Sequence, residues 1–90
     1  MNTEISEQRA LLQNSFTTPI TVAIEPWGET WNVEPGDSLE LLGTGPSKEA
    51  KFEFDINLPT VAVYAWSGST IKVFYNGEHR KSGSEGFPAK

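Results

Sequence analysis

From Ile20 onward, apolar residues recur at every second position, in short runs cut off by turn residues. Ile20, Val22 and Ile24 alternate with Thr21, Ala23 and Glu25. Trp31 and Val33 alternate with Thr30, Asn32 and Glu34, and Phe52, Phe54 and Ile56 with Lys51, Glu53 and Asp55. A period of two is that of a strand with one buried face, because successive side chains point to opposite sides of a sheet.

Proline and glycine set the lengths of these runs. Glu25-Pro26-Trp27-Gly28-Glu29 reads as a hairpin turn, since proline fixes φ and glycine accepts positive φ. Glu34-Pro35-Gly36-Asp37 launches a strand from Ser38 to Leu42 with Leu39 and Leu41 on one face, and Gly43 to Ser47 reads as the loop that closes it. Asn57-Leu58-Pro59 breaks the next run. Asn76-Gly77, a strong short-range hairpin signal, folds Glu78 to Arg80 back as a short edge strand.

The expected fold is therefore all-β: a small antiparallel sandwich or partly open barrel of six to seven strands. Parallel pairing is not expected, because it calls for crossover helices that these loops cannot hold. The one helical candidate precedes Phe16, with Ile5, Leu11 and Leu12 to one side and Thr3 or Ser6 as its cap. The organisation expected is an N-terminal extension over 1–15, a single β domain over 16–81 and a flexible tail over 82–90.

Composition removes several classes of function. At 90 residues the chain is one domain, and seven basic against twelve acidic side chains leave a net charge of −5. That balance opposes nucleic-acid binding, which draws most of its affinity from Lys and Arg on phosphates. No apolar run approaches the ~20 residues of a membrane-spanning helix, so no membrane partner is expected. Cysteine is absent, which removes disulfides and thiolate metal sites. The opening residues, with Glu4, Glu7 and Arg9, lack the basic-then-apolar order of a secretory signal, so the cytoplasm is the expected location.

Two resemblances can be read from the turns. Val33-Glu34-Pro35-Gly36-Asp37 resembles the V-x-P-G-D turn of cupredoxins, which are β-sandwich copper proteins. Blue copper needs a Cys thiolate with two His, and this chain has no Cys and only His79, so the resemblance extends to the turn and not to the metal. More broadly, residues 16 to 80 are similar to a group of small bacterial single-domain β proteins. The likeness rests on Glu25, Pro26, Trp27, Gly28, Pro35, Gly36, Gly45, Pro46, Trp66 and Gly77. It implies a fold but no activity.

Catalytic chemistry finds little support. The single histidine, His79, lies beside Arg80 and Lys81 with no nucleophile in view, so no catalytic residue, metal site or cofactor is expected. The most informative segment is Val61 to Tyr75, read as a hairpin turning at Ser67-Gly68-Ser69. Tyr64 then pairs with Lys72 and Ala62 with Phe74. Val61, Val63, Ile71 and Val73 fill a core face, which leaves Tyr64, Trp66 and Phe74 with Lys72 on the other. Either that face is covered as well, by Leu11 and Leu12 or by a second sheet, or it is open; aromatics on an open face anchor interfaces, so the expected function is a non-enzymatic binding module that takes a protein partner or self-associates. Tyr64, Trp66, Lys72 and Phe74 would be its site, with Trp27 at the hairpin tip either folded back onto a neighbouring strand or a secondary contact. The alternative is a small-molecule or carbohydrate-binding domain using the turn carboxylates Glu25, Glu29, Glu34 and Asp37.

Overall fold

A computed structural model describes residues 4–90, and nearly all of its regular structure is strand. In chain order the elements are β1 (Ile5–Gln13), β2 (Ile20–Glu25), β3 (Glu29–Val33), β4 (Ser38–Pro46), β5 (Glu53–Asn57), β6 (Thr60–Tyr64), β7 (Thr70–Tyr75), β8 (Glu78–Arg80) and a single helical turn, α1 (Gly83–Gly86). They form two four-stranded sheets, ordered β1-β4-β7-β8 and β3-β2-β6-β5, and neither closes on itself. The all-β class holds, in an open, sandwich-like arrangement.

The core lies between the sheets. Ile20, Val22, Ile24, Val33, Val61 and Val63 from one meet Leu39, Leu41, Ile71 and Val73 from the other. Most are β-branched and fit a pleated surface well, and burying each side chain contributes about 1.5–3 kcal/mol.

Four expectations are corrected. The helical candidate before Phe16 is instead β1, paired with β4 along its whole length from Ile5↔Pro46 to Gln13↔Ser38. A short isolated helix is marginal, whereas the long β4 edge offers a backbone partner to every residue of the segment. Leu11 and Leu12 consequently point to opposite faces, and Ser6 is a strand residue; Thr3, the other proposed cap, lies outside the described residues.

The loop expected at Gly43 continues β4 through Pro46. Crowding favours glycine there: a Cβ on Gly43 would stand 2.8 Å from the Phe52 ring, and one on Gly45 would stand 2.7 Å from the Ser69 backbone.

Parallel pairing does occur, between β2 and β6, in the register Thr21↔Thr60 to Glu25↔Tyr64. The crossover between them runs through β3, β4 and β5, so strands do the work expected of a helix. Finally, β6 and β7 do not form a hairpin. They belong to different sheets, and Ser67-Gly68-Ser69 carries the chain from one layer to the other. The Asn76-Gly77 hairpin is present as read, with φ of 50° and 82° at its two central residues.

The C-terminal segment is tied to both sheets. Ser84 is buried and its hydroxyl donates to the Ile71 carbonyl at 3.0 Å, while its amide donates to a Glu29 carboxylate oxygen at 3.3 Å. Ala89 is buried too: its amide donates to Ser69 O, and its carbonyl accepts from the Gly68 amide. This segment fastens the β3/β8 side of the molecule. At the opposite end of β3, Asn14 is fully buried and donates to the carbonyls of Thr18 and Val33, each at 2.9 Å, while accepting from the Phe16 amide. That bracket fixes the β1–β2 link and sets the position of Phe16. Among the described residues no helix is long and apolar enough to cross a membrane.

Candidate functional site

Because β6 and β7 part company, the four residues expected to form one aromatic site lie in three places, and Trp27, the expected secondary contact, lies in a fourth. Tyr64 is exposed on the outer face of its sheet, in register with Glu53 and Glu25. Trp66 follows the end of β6 and is buried between the layers. Its indole N–H donates to the Pro46 carbonyl at 2.8 Å, and its ring meets Phe52 edge-on at 5.6 Å. Lys72 and Phe74 stand on the outer face of the other sheet, opposite Leu42 and Glu40, and the Phe74 ring lies 5.4 Å from that of His79. Trp27 folds back against the core, and its N–H donates to the Phe87 carbonyl at 2.7 Å. Two of the three tryptophans thus use their polar edge to fasten chain segments.

Three of the turn carboxylates are similarly committed to structure. Asp37 accepts a 2.7 Å bond from the Tyr75 hydroxyl, which in turn accepts from the Glu34 amide at 3.2 Å. Bonds from the side chains of Tyr75 and Asn76 hold the Asp37 carboxyl below its usual range, against a small opposing effect of burial. For Tyr75 the Glu34 amide favours the phenolate, but burial, the bond to Asp37 and the charges of Asp37 and Glu34 together raise its pKa. Glu29 receives the Ser84 amide, and Glu34 accepts from Asn32 at 2.6 Å. Neither these three nor Glu25 lines the cleft beside Tyr64 or the cleft between β1 and β5. A polar cleft of about 370 Å³ does lie beside Tyr64, lined by Glu49, Lys51, Glu53 and Trp66, in which Lys51 and Glu53 pair at 3.6 Å. His79 sits on the edge strand β8 with Nε2 at 2.7 Å from a Glu85 oxygen.

The feature that stands apart is the flank where β1 and β5, each the edge of its own sheet, lie side by side. The register Phe54↔Val63 and Ile56↔Val61 places Phe54 and Ile56 on the inward, core-facing side of β5. Inward residues of a two-layer fold should be covered, yet Phe54 is 47% and Ile56 66% exposed. Facing them from β1 is Leu12, whose neighbours on the inward side are the small or polar Ser6, Gln8 and Ala10. The result is an apolar cleft of about 420 Å³, lined by Leu12, Gln13, Phe16, Ile20, Phe54, Ile56, Leu58 and Val61, with no charged side chain. A second hollow of about 350 Å³ continues it past Phe16, Thr18, Leu58 and Pro59. Phe16 and Leu58 are also exposed.

Sequence reading placed Phe54 and Ile56 on the apolar face of an alternating strand, and nothing in that alternation marks the face as uncovered. What uncovers them is the placement of their strand at the edge of a sheet beside a β1 poor in large inward residues. Ser6, Gln8 and Ala10 carry that second signal in the sequence, once β1 is known to be a strand.

Comparison of the chain with family models, with curated proteins and with solved structures gives no match. The geometry of the flank is therefore what any functional reading must rest on.

Proposed function

We propose that this protein is a non-enzymatic interaction module that docks an apolar protein surface on the open flank between β1 and β5. One observation carries the reading: Phe54 and Ile56 face inward but are left uncovered, at the centre of a continuous apolar cleft. Contiguous exposed apolar surface of this kind marks interaction sites in soluble proteins. An interface is apolar and poor in charge at its centre, and the lining of this cleft contains no charged side chain. The net charge of −5 supports a protein partner over nucleic acid. The absence of cysteine is compatible with the cytoplasm.

A photo-crosslinking side chain introduced at Ile56 tests this, with the same group at Thr30, on the outer face of the same sheet, as control. The expected result is discrete protein adducts from position 56, identified by mass spectrometry, and none from position 30. Equal labelling at both positions, or no adduct at 56, would overturn the reading.

A second reading, small-molecule or carbohydrate binding, rests on the polar cleft beside Tyr64, where an aromatic meets Glu49 and Glu53. It predicts that Tyr64→Ala abolishes saturable binding of a sugar to the intact fold.

A further inference from the structure

We infer that the occupant of the open flank is a second copy of this chain, joined by antiparallel pairing of β1 with its own counterpart about Gln8. The inference rests on the reading of the flank as a docking surface and adds the partner and its register.

The two sheets present four edge strands: β1, β8, β3 and β5. A free edge is a template for pairing, and proteins blunt edges with short strands, charges or covering segments. Three of the four are blunted. β8 has only three residues. β3 is braced by the C-terminal segment, through the Ser84 amide on Glu29. β5 has five residues and carries Glu53 and Asp55 on its outer face. Self-pairing of β5 centred on Glu53, Phe54 or Asp55 always sets an acid opposite an acid, which is unfavourable across strands.

β1 is different. It has nine residues, no proline or glycine, and no charge on its inward side. Its sequence from Ile5 to Leu11 is self-complementary about Gln8: apolar, small, acidic, polar, basic, small, apolar. Residues directly opposite in an antiparallel pair share a face. A two-fold axis at Gln8 therefore sets Glu7 against the second copy's Arg9, Ser6 against Ala10, and Ile5 against Leu11, each pair occurring twice. Ile5 and Leu11 are 64% and 65% exposed on the outer face, where nothing in the single chain explains two large aliphatic side chains flanking Glu7 and Arg9.

The register is specific. An axis at Glu7 opposes two glutamates, and an axis at Arg9 opposes two arginines. Among the described residues Glu7 has no ion-pair partner. Arg9 reaches Glu40 at 3.6 Å along the same face, and its guanidinium retains N–H donors for a second carboxylate. Joined this way, the two four-stranded β1-β4-β7-β8 sheets become one continuous sheet. The axis at Gln8 sets Leu12, which lines the cleft, opposite the second copy's Glu4, so each open flank lies at one end of the paired strands, where the second copy's β1 reaches it.

The test is a charge exchange read by light scattering and sedimentation over a dilution series. Wild type should show a mass of twice 9.9 kDa at high concentration. Glu7→Arg alone creates two basic–basic oppositions and Arg9→Glu alone two acidic–acidic ones, so each should raise the dimer dissociation constant roughly tenfold or more. An equimolar mixture of the two variants sets acid against base at every position again and should restore the dimer. Circular dichroism and thermal melting of each variant keep loss of fold separate from loss of association, since both positions are exposed. A wild type that stays monomeric, a dimer unmoved by either change, or weakened variants that the mixture fails to restore would each overturn the inference. A monomer that still crosslinks from Ile56 to a different protein would overturn the second copy while sparing the docking flank. A monomer without such adducts would overturn both.

Discussion

Phe54 and Val63 stand directly opposite one another on adjacent strands and point to the same side of the sheet, yet Val63 is fully buried and Phe54 is 47% exposed. The difference comes from what lies across the gap. Val63 faces the filled centre of the opposing sheet, while Phe54 faces its edge, where β1 offers Ser6, Gln8 and Ala10 beside the single large side chain of Leu12. An alternation that elsewhere produces a core produces an open apolar surface here.

This contrast predicts unequal mutational costs on two residues of similar chemistry. Leu41→Ala, in the fully buried centre, should cost about 2–5 kcal/mol of folding stability. Ile56→Ala, on the open flank, should cost less than about 1 kcal/mol in the dilute chain. Denaturant unfolding of both variants at low protein concentration checks the pair, and comparable costs would place Ile56 in the core.

The Asp37–Tyr75 bond joins the turn before β4 to the end of β7, and it makes stability sensitive to acid. The folded-state pKa of Asp37 lies below the ordinary Asp value of 3.8. Its contribution is therefore present above the unfolded value and disappears as the pH falls through the depressed folded one. Thermal melts should fall more steeply below about pH 3.8 in wild type than in Asp37→Asn. Tyr75→Phe should lower the melting temperature at neutral pH and flatten the acid limb in the same way.

Crowding at the two β4 glycines gives a graded prediction. A Cβ on Gly43 meets the far ends of the Phe52 and Trp66 rings, which can shift, whereas one on Gly45 meets the backbone of Ser69 at 2.7 Å. Gly45→Ala should destabilise by about 1–3 kcal/mol or more, the range for overpacking, and Gly43→Ala by less. Trp66 emission should report the second change directly.

Removal of residues 82–90 deletes the partners of Glu29, Trp27, Gly68 and Ser69. The shortened chain should melt at a lower temperature and show red-shifted, more readily quenched tryptophan emission as Trp27 gains water. Unchanged emission would mean that the segment contributes nothing to the cover of Trp27.

Local features of the fold were legible in the sequence, and long-range pairings were not. Period-two runs at Ile20–Glu25 and Thr30–Val33 read as strands because one face of each is buried, and Asn76-Gly77 read as a turn because positive φ at both positions demands such residues. The pattern at Ile5–Gln13 did not, because an edge strand with small and polar inward residues has no apolar period to detect. Ser67-Gly68-Ser69 suits a hairpin as well as a crossing between layers. The choice is made by contacts distant in sequence: β2 taking β6, β4 taking β7, and Gly45 admitting Ser69. The expected site of Tyr64, Trp66, Lys72 and Phe74 rested on that one turn and dispersed with it, while Trp27, the secondary contact, belongs to a different hairpin tip. The flank arises only once two edges from different sheets are brought together, which no local pattern encodes.

Amide hydrogen exchange across a dilution series tests the central claim most directly. If a second copy docks on the open flank through β1, the amides of Ile5–Gln13 should exchange more slowly as concentration rises, while those of β3 and β8 stay constant. Exchange in β1 that is independent of concentration would contradict the account.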